Sequence, residues 1–202
     1  RILYQADGLG DSAAQRRVAN INAYLAPTSN VIVRKAMRPL TGVSSMDFGN
    51  KADDGGHLTL SRSGVDELGI TDAQQRKFVR QFVGSNEFIN GVERYCLWIL
   101  DEDLDEAKRI RTIADQIEKV RLSRQASPDA YARRLARRPH QFKTPRETRK
   151  MVIVTPRVSS ENRPYLPVGL LGSHAIIGDR NFALYDAPIW NMALIASRLH
   201  WV

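Results

Sequence analysis

One cysteine, four histidines and no long apolar run leave this 202-residue chain with few chemical options. Cys96 has no partner within the chain, so an internal disulfide is excluded and a reducing, cytosolic compartment fits. No stretch of 18 apolar residues is present, which excludes a transmembrane helix and gives no membrane partner. His57, His140, His174 and His200 are scattered, and no CxxC, HExxH or other ligand-spaced cluster occurs, so no metal site is expected. The opening RILYQADGLGD has neither the charged-then-apolar profile nor the small-residue cleavage site of an export signal. DGLGDS has no apolar strand before it and reads as a turn, not a dinucleotide fingerprint. SSEN (159–162) lacks the G-x-S-x-G frame of a nucleophile elbow. The chain starts at Arg1 without methionine and stops within an apolar pattern, so it is expected to be a piece of a longer protein.

What is abundant is positive charge, and it is concentrated. Lys119–Arg163 holds thirteen Lys and Arg against Asp129, Glu147 and Glu161, a local excess of +10 in a chain of net +8. The remainder therefore sums to −2. A field confined to one stretch is the footprint of a polyanion partner, with nucleic acid foremost.

The pattern of residues predicts an α+β fold. VIVRK (31–35) and HLTL (57–60) read as strands separated by a Gly, Ser, Asn and Asp-rich loop. Thr71 and Asp72 open a helix in which Phe78, Val79, Phe82 and Val83 recur at three and four, with Gly84 at its end. RYCLWIL (94–100) is β-rich, and DEDLDE suits the first turn of a long helix near 103–125 with a stripe of Leu104, Ala107, Ile110, Ile113 or Ala114, Ile117 and Val120. Ser127 and Pro128 open a short basic helix through Ala136. MVIVT (151–155), YLPVGLL (165–171), AIIG (175–178) and FALY (182–185) read as four strands of a largely antiparallel sheet. A helix from Ala187 to Val202 closes the chain. The texture divides it into a mixed part, 1–125, and a basic, strand-rich part, 126–202.

Three phrases carry a resemblance. FGNKADDGGHLTL (48–60), FVGSNEFINGVERYCLWI (82–99) and VTPRVSSENRPYLPVGLL (154–171) together, in order and spacing, resemble the target-recognition domain of the MmeI-like type IIG restriction–modification enzymes. The resemblance runs from about Asn20 to the C-terminus. Ala52 departs from it where FGNKPxDGG has proline, residues 125–150 match loosely, and 184–202 keeps the layout with different letters. It implies a bacterial, cytoplasmic protein whose other segments carry an S-adenosylmethionine-dependent adenine methyltransferase and a divalent-ion (Mg) nuclease. The Asn/Asp-Pro-Pro-aromatic methyltransferase motif is absent from this chain, so catalytic residues and bound cofactors are not expected within it. The implied partners are duplex DNA and the methyltransferase domain of the same chain.

Arg157, Ser159, Ser160, Asn162 and Arg163 supply guanidinium, hydroxyl and amide groups on a strand-to-strand loop. Such groups bind base edges or phosphates. Family members read different targets, so a phrase they share favours the DNA backbone, and Arg121 and Arg124 join this docking set. Base readers are then expected where the chain departs from the shared phrases: Arg133, Lys143, Arg146 and Arg149, and later Asp179, Arg180, Asn181, Asp186 and Asn191. GSNEFING (84–91) reads as a compact loop held by local side-chain bonds or as a docking surface for the methyltransferase domain. Two other readings stay open. One is a stand-alone RNA-binding or protein-interaction module using the basic patch; the other is a nuclease built on Asp53 and Asp54.

Overall fold

The computed structural model describes residues 1–6, 13–30, 39, 41–160 and 162–197. The expected strand at 31–35 lies outside them. The chain forms two compact units, 1–41 and 42–202. In the first, β1 (Ile2–Ala6) and β2 (Ala13–Arg17) pair antiparallel with Ile2 opposite Arg17. The Asn22 carboxamide then accepts the backbone N–H of Tyr24 (2.9 Å) and Ala26 (3.0 Å), closing a turn in which Leu25 has φ 58°.

The second unit contains two four-stranded sheets. β3 (Asp47–Phe48), β10 (Asn181–Tyr185), β7 (Met151–Pro156) and β8 (Gly169–Gly172) lie side by side in that order, all antiparallel. β4 (Thr59–Leu60), β6 (Tyr95–Leu97), β5 (Val79–Val83) and β9 (Ala175–Ile177) make the other. Each sheet draws strands from both sides of residue 125, so the contacts do not separate 1–125 from 126–202. Three of the four late strands share one antiparallel sheet as expected. β9 instead crosses to the other sheet and pairs parallel with β5, Phe82 opposite Ile176. Its three residues are buried on both faces, the usual state of a parallel strand.

The predicted helix over 71–84 is corrected. α2 (Asp72–Phe78) starts on a capping box, with Thr71 Oγ1 accepting from Gln74 N–H (3.3 Å) and Gln74 Oε1 from Thr71 N–H (2.9 Å). It stops at Phe78, and Val79–Val83 continues as β5. Apolar residues at 78, 79, 82 and 83 satisfy a helix face and a short buried strand equally, and the β-branched valines with two strand neighbours decide it. Gly84 precedes a further helix, α3 (Ser85–Asn90), which ends at left-handed Gly91. GSNEFING is thus helical, although Asn90 Nδ2 does donate locally to Asn86 Oδ1 (2.7 Å).

The long acidic-headed helix is also interrupted. After α1 (Arg62–Asp66) and the elements above, a 3₁₀ turn (Asp101–Asp103) leads into α4 (Leu104–Arg109), and Ile110 takes an extended ψ of 106° before α5 (Arg111–Gln125). The stripe survives the break, with Ala107, Ile113, Ile117 and Val120 buried against Phe78, Leu97 and Phe142. α6 (Ala130–Leu135) is capped by Asp129, whose carboxylate accepts Tyr131 N–H (2.9 Å), rather than by Ser127. α7 (Trp190–Ala196) closes the described chain and buries Asn191 and Ile195. Leu199 lies outside the described residues.

β7 shows why the antiparallel sheet is central. Val152 and Val154 pack into one cluster with Val83, Ile177 and Ala183, while Ile153 between them packs into another with Leu184 and Ile195. Both faces are therefore covered, following the period of two. No helix among the described residues is long and apolar enough to cross a membrane.

Candidate nucleic-acid interface

The segment Gly178–Asn181, which leads from β9 into the first residue of β10, is a hub to which all three shared phrases are bonded. From the first phrase, Gly49 N–H donates to Asn181 O (3.1 Å) and Asp179 N–H donates to Asn50 O (3.0 Å). From the second, Val83 O accepts Gly178 N–H (2.9 Å) and the Asn181 carboxamide (2.8 Å), and Ser85 Oγ donates to Arg180 O (2.6 Å). From the third, Arg157 N–H donates to Arg180 O (3.0 Å). Backbones approach closely here: a Cβ on Gly49 would lie 2.2 Å from Gly178 O, and one on Gly178 would lie 2.6 Å from the Phe82 ring. The glycines of FGN and of the 175–178 strand are required by that crossing.

Asn50 and Asn181 secure it from inside. Both are fully buried. Asn50 Nδ2 donates to Arg146 O (2.8 Å) and Ile177 O (3.0 Å), while its Oδ1 accepts Arg146 N–H. The shared phrases thus build a scaffold that displays Arg157 and Arg180, both exposed, on adjacent positions.

Arg157 is the best-organised cation of this cluster. Phe48 and Phe182 are direct cross-strand neighbours with ring centroids 5.3 Å apart. The Arg157 guanidinium carbon sits 4.9 Å from the Phe48 centroid and 5.8 Å from that of Phe182. These lengths make a nearly equilateral triangle, so the guanidinium caps both rings. One Nη1 proton goes to Asp179 O (3.2 Å). Arg146 flanks the cluster, paired with Asp47 (3.0 Å).

Several residues expected to touch DNA have their side chains engaged by other parts of the chain. Arg124 is 2% exposed and spreads its guanidinium over five backbone carbonyls: Asp53 (2.8 Å), Leu135 (3.1 Å), Arg138 (2.9 Å), Ala52 (3.1 Å) and Gln141 (2.8 Å). Burial lowers its pKa, and Asp53 and Asp54 oppose that shift. Asn181 serves the hub, and buried Asn191 donates to Pro188 O (2.8 Å). Asp186, at φ 51°, accepts the Thr148 hydroxyl (2.6 Å) and the N–H groups of Arg149, Lys150 and Met151, which hold its carboxyl well below the usual range. Their polar atoms are consumed by the architecture.

Other candidates are partnered nearer the surface, Arg133 exposed and Arg121 and Lys143 half-buried. Arg121 pairs with Glu118, Arg133 donates to Ser127 O and Pro128 O (2.8 Å each), and Lys143 meets Asp53 (3.3 Å) and the Tyr131 ring. Arg149 and Asn162 are exposed, Ser160 is exposed and accepts Asn162 N–H (3.2 Å), and Arg163 and Asp179 are half-buried. The Ser159 hydroxyl is enclosed without a hydrogen-bond partner among the described residues.

The acidic pair is a turn. Asp54 accepts the N–H of Gly56 (3.1 Å), Leu58 (2.5 Å) and Thr59 (3.2 Å), and Asp53 is the partner of Lys143. Among the described residues no three His, Cys, Asp or Glu side chains are placed to hold a metal ion. Cys96 is fully buried, which pushes its thiol pKa up.

A family model described as the MmeI target recognition domain matches residues 27–202. The chain belongs to the MmeI target recognition domain family. A solved MmeI, a type IIL restriction–modification enzyme in complex with DNA, superposes on 99% of this target recognition domain with a TM-score of 0.79 and 28% identity. DNA methyltransferase A of Bacillus subtilis (strain 168) is 34% identical over 190 residues, 93% of this chain. The domain spans 27% and 22% of those two chains, about a quarter of their length.

Phe48, Phe182 and Ser85 have places in the cluster that the sequence reading missed. Phe48 and Ser85 lay within the shared phrases, but Phe48 was given no role and Ser85 only one within its own loop. Nothing local marks residues so distant in sequence as neighbours.

Proposed function

We propose that this domain recognises a specific sequence of duplex DNA within a longer bacterial, cytoplasmic restriction–modification protein. Other segments of that protein transfer a methyl group from S-adenosylmethionine to adenine N6 and cleave DNA with a divalent ion such as Mg. The observation that carries the proposal is the convergence of the three family phrases on one hub that displays Arg157 and Arg180. Around it, Ser159, Ser160, Asn162 and Arg163 dock on the DNA backbone, and Arg180, Asp179 and Arg149 are the readers whose groups face least internal competition. Arg121, Arg133, Lys143 and Arg146 act as a surrounding positive field, since their donors are shared with acids or carbonyls. The target adenine is extruded from the duplex into the methyltransferase segment, which docks against this domain.

Fluorescence anisotropy with a DNA duplex, a matched RNA duplex and heparin across a salt series tests this. The expected result is preference for the DNA duplex, a steep salt slope and loss of affinity in Arg157→Ala/Arg163→Ala. Equal affinity for all three polyanions, or preference for RNA, overturns it.

A further inference from the structure

We infer that Phe48 and Phe182 are positioning residues that hold the Arg157 guanidinium for a backbone phosphate of duplex DNA. The inference deepens the DNA-recognition reading and rests on it. Phe48 is 54% exposed on β3, a two-residue strand at the sheet edge. A ring left half in water at an edge gains little from burial, so its value lies in what it supports. Its partner across the strands is Phe182, and the next strand inward, β7, ends at Pro156 immediately before Arg157, which places the guanidinium over both rings. Cation–π attraction restrains the planar group from below, and the Nη1 bond to Asp179 O restrains its rotation. Among the described residues no acid pairs with Arg157 and no acceptor takes its Nε or Nη2 donors.

This arrangement contrasts with the other arginines nearby. Arg124 has all five donors on carbonyls, and Arg146 pairs with Asp47, the residue before Phe48. A flexible arginine loses rotamer freedom when it clamps a phosphate. An arginine already seated on two rings loses less, and its forked edge suits two phosphate oxygens.

The test is a double-mutant cycle on this chain with a random-sequence DNA duplex, read by anisotropy over a salt series, with thermal melting of every variant. Phe48→Leu is expected to weaken binding roughly two- to fivefold, the size of an exposed cation–π contact. Phe48→Tyr, which keeps the ring, should restore wild-type affinity. In an Arg157→Ala background, itself lowering the log–log salt slope by about 0.9, Phe48→Leu should have no further effect. Phe182→Leu should follow the same pattern. Unchanged affinity in Phe48→Leu, with wild type still binding DNA, sinks this inference alone. A loss that persists undiminished beside Arg157→Ala also sinks it, because Phe48 would then stack on DNA itself. Absence of duplex binding by wild type removes both this inference and the function it rests on.

Discussion

Arg124 and Arg157 carry the same charge in opposite surroundings, and their variants should separate accordingly. Lysine at 124 can reach at most three of the five carbonyls that the guanidinium serves, leaving buried acceptors unpaired. Arg124→Lys should cost about 2–4 kcal/mol and lower the melting temperature by roughly 5–15 °C. Arg157→Lys, by contrast, should shift stability by less than about 0.5 kcal/mol while weakening DNA binding. Asp186 predicts a pH effect. Its folded pKa is depressed by Thr148 and three backbone N–H groups, so its contribution is complete above the unfolded carboxylate range near about 4 and is lost as pH falls towards the folded value. Acid titration followed by circular dichroism should show Asp186→Asn less stable at neutral pH, with a flatter loss below about pH 4. The internal roles of Arg124 and Asp186 were not readable beforehand. Charge and hydrogen-bonding capacity are properties of the side chain, whereas the identity of the acceptor depends on segments distant in the chain.

The elements show where local signals suffice. Thr71 and Asp72 marked the start of a helix, and the helix does start there, on a capping box that Thr71 makes with Gln74. Thr71→Ala should therefore destabilise by about 1 kcal/mol, measurable by urea unfolding. The stripe from Ala107 to Val120 was equally legible, because a 3.6-residue period persists through the break at Ile110. No glycine or proline marks that break, and none marks the switch from helix to strand after Phe78. Pairing partners decided both the switch and the migration of β9 to the other sheet. Gly178 lies where that migration brings backbones together. Gly178→Ala presses a methyl on the buried Phe82 ring and should cost about 1–3 kcal/mol; it should also reduce DNA affinity by displacing the hub. A stable Gly178→Ala variant with unchanged affinity would show that the hub does not position the DNA contacts.

At the scale of the molecule, the +10 segment is less of a uniform field than its count suggests. Arg124 is internal, and Arg121, Lys143 and Arg146 have acidic partners, so the effective charge is concentrated on fewer exposed groups. If six phosphates are neutralised, the log–log salt slope should be near roughly −5, and a value near −2 would confine contact to the hub. In the longer chain, exchanging Arg180 for the residue of a relative with another target should change which site is methylated, whereas exchanging buried Asn181 should lower stability without a new specificity. The sequence by itself determined the α+β class, the family, the basic character and the capped or periodic helices, because each depends on composition or near-neighbour spacing. Only the tertiary structure decided which arginine is displayed and which is consumed, that the three shared phrases meet at Gly178–Asn181, and that two phenylalanines seat Arg157. Those outcomes depend on hydrogen bonds and ring contacts between residues far apart in the chain, for which local spacing carries no information.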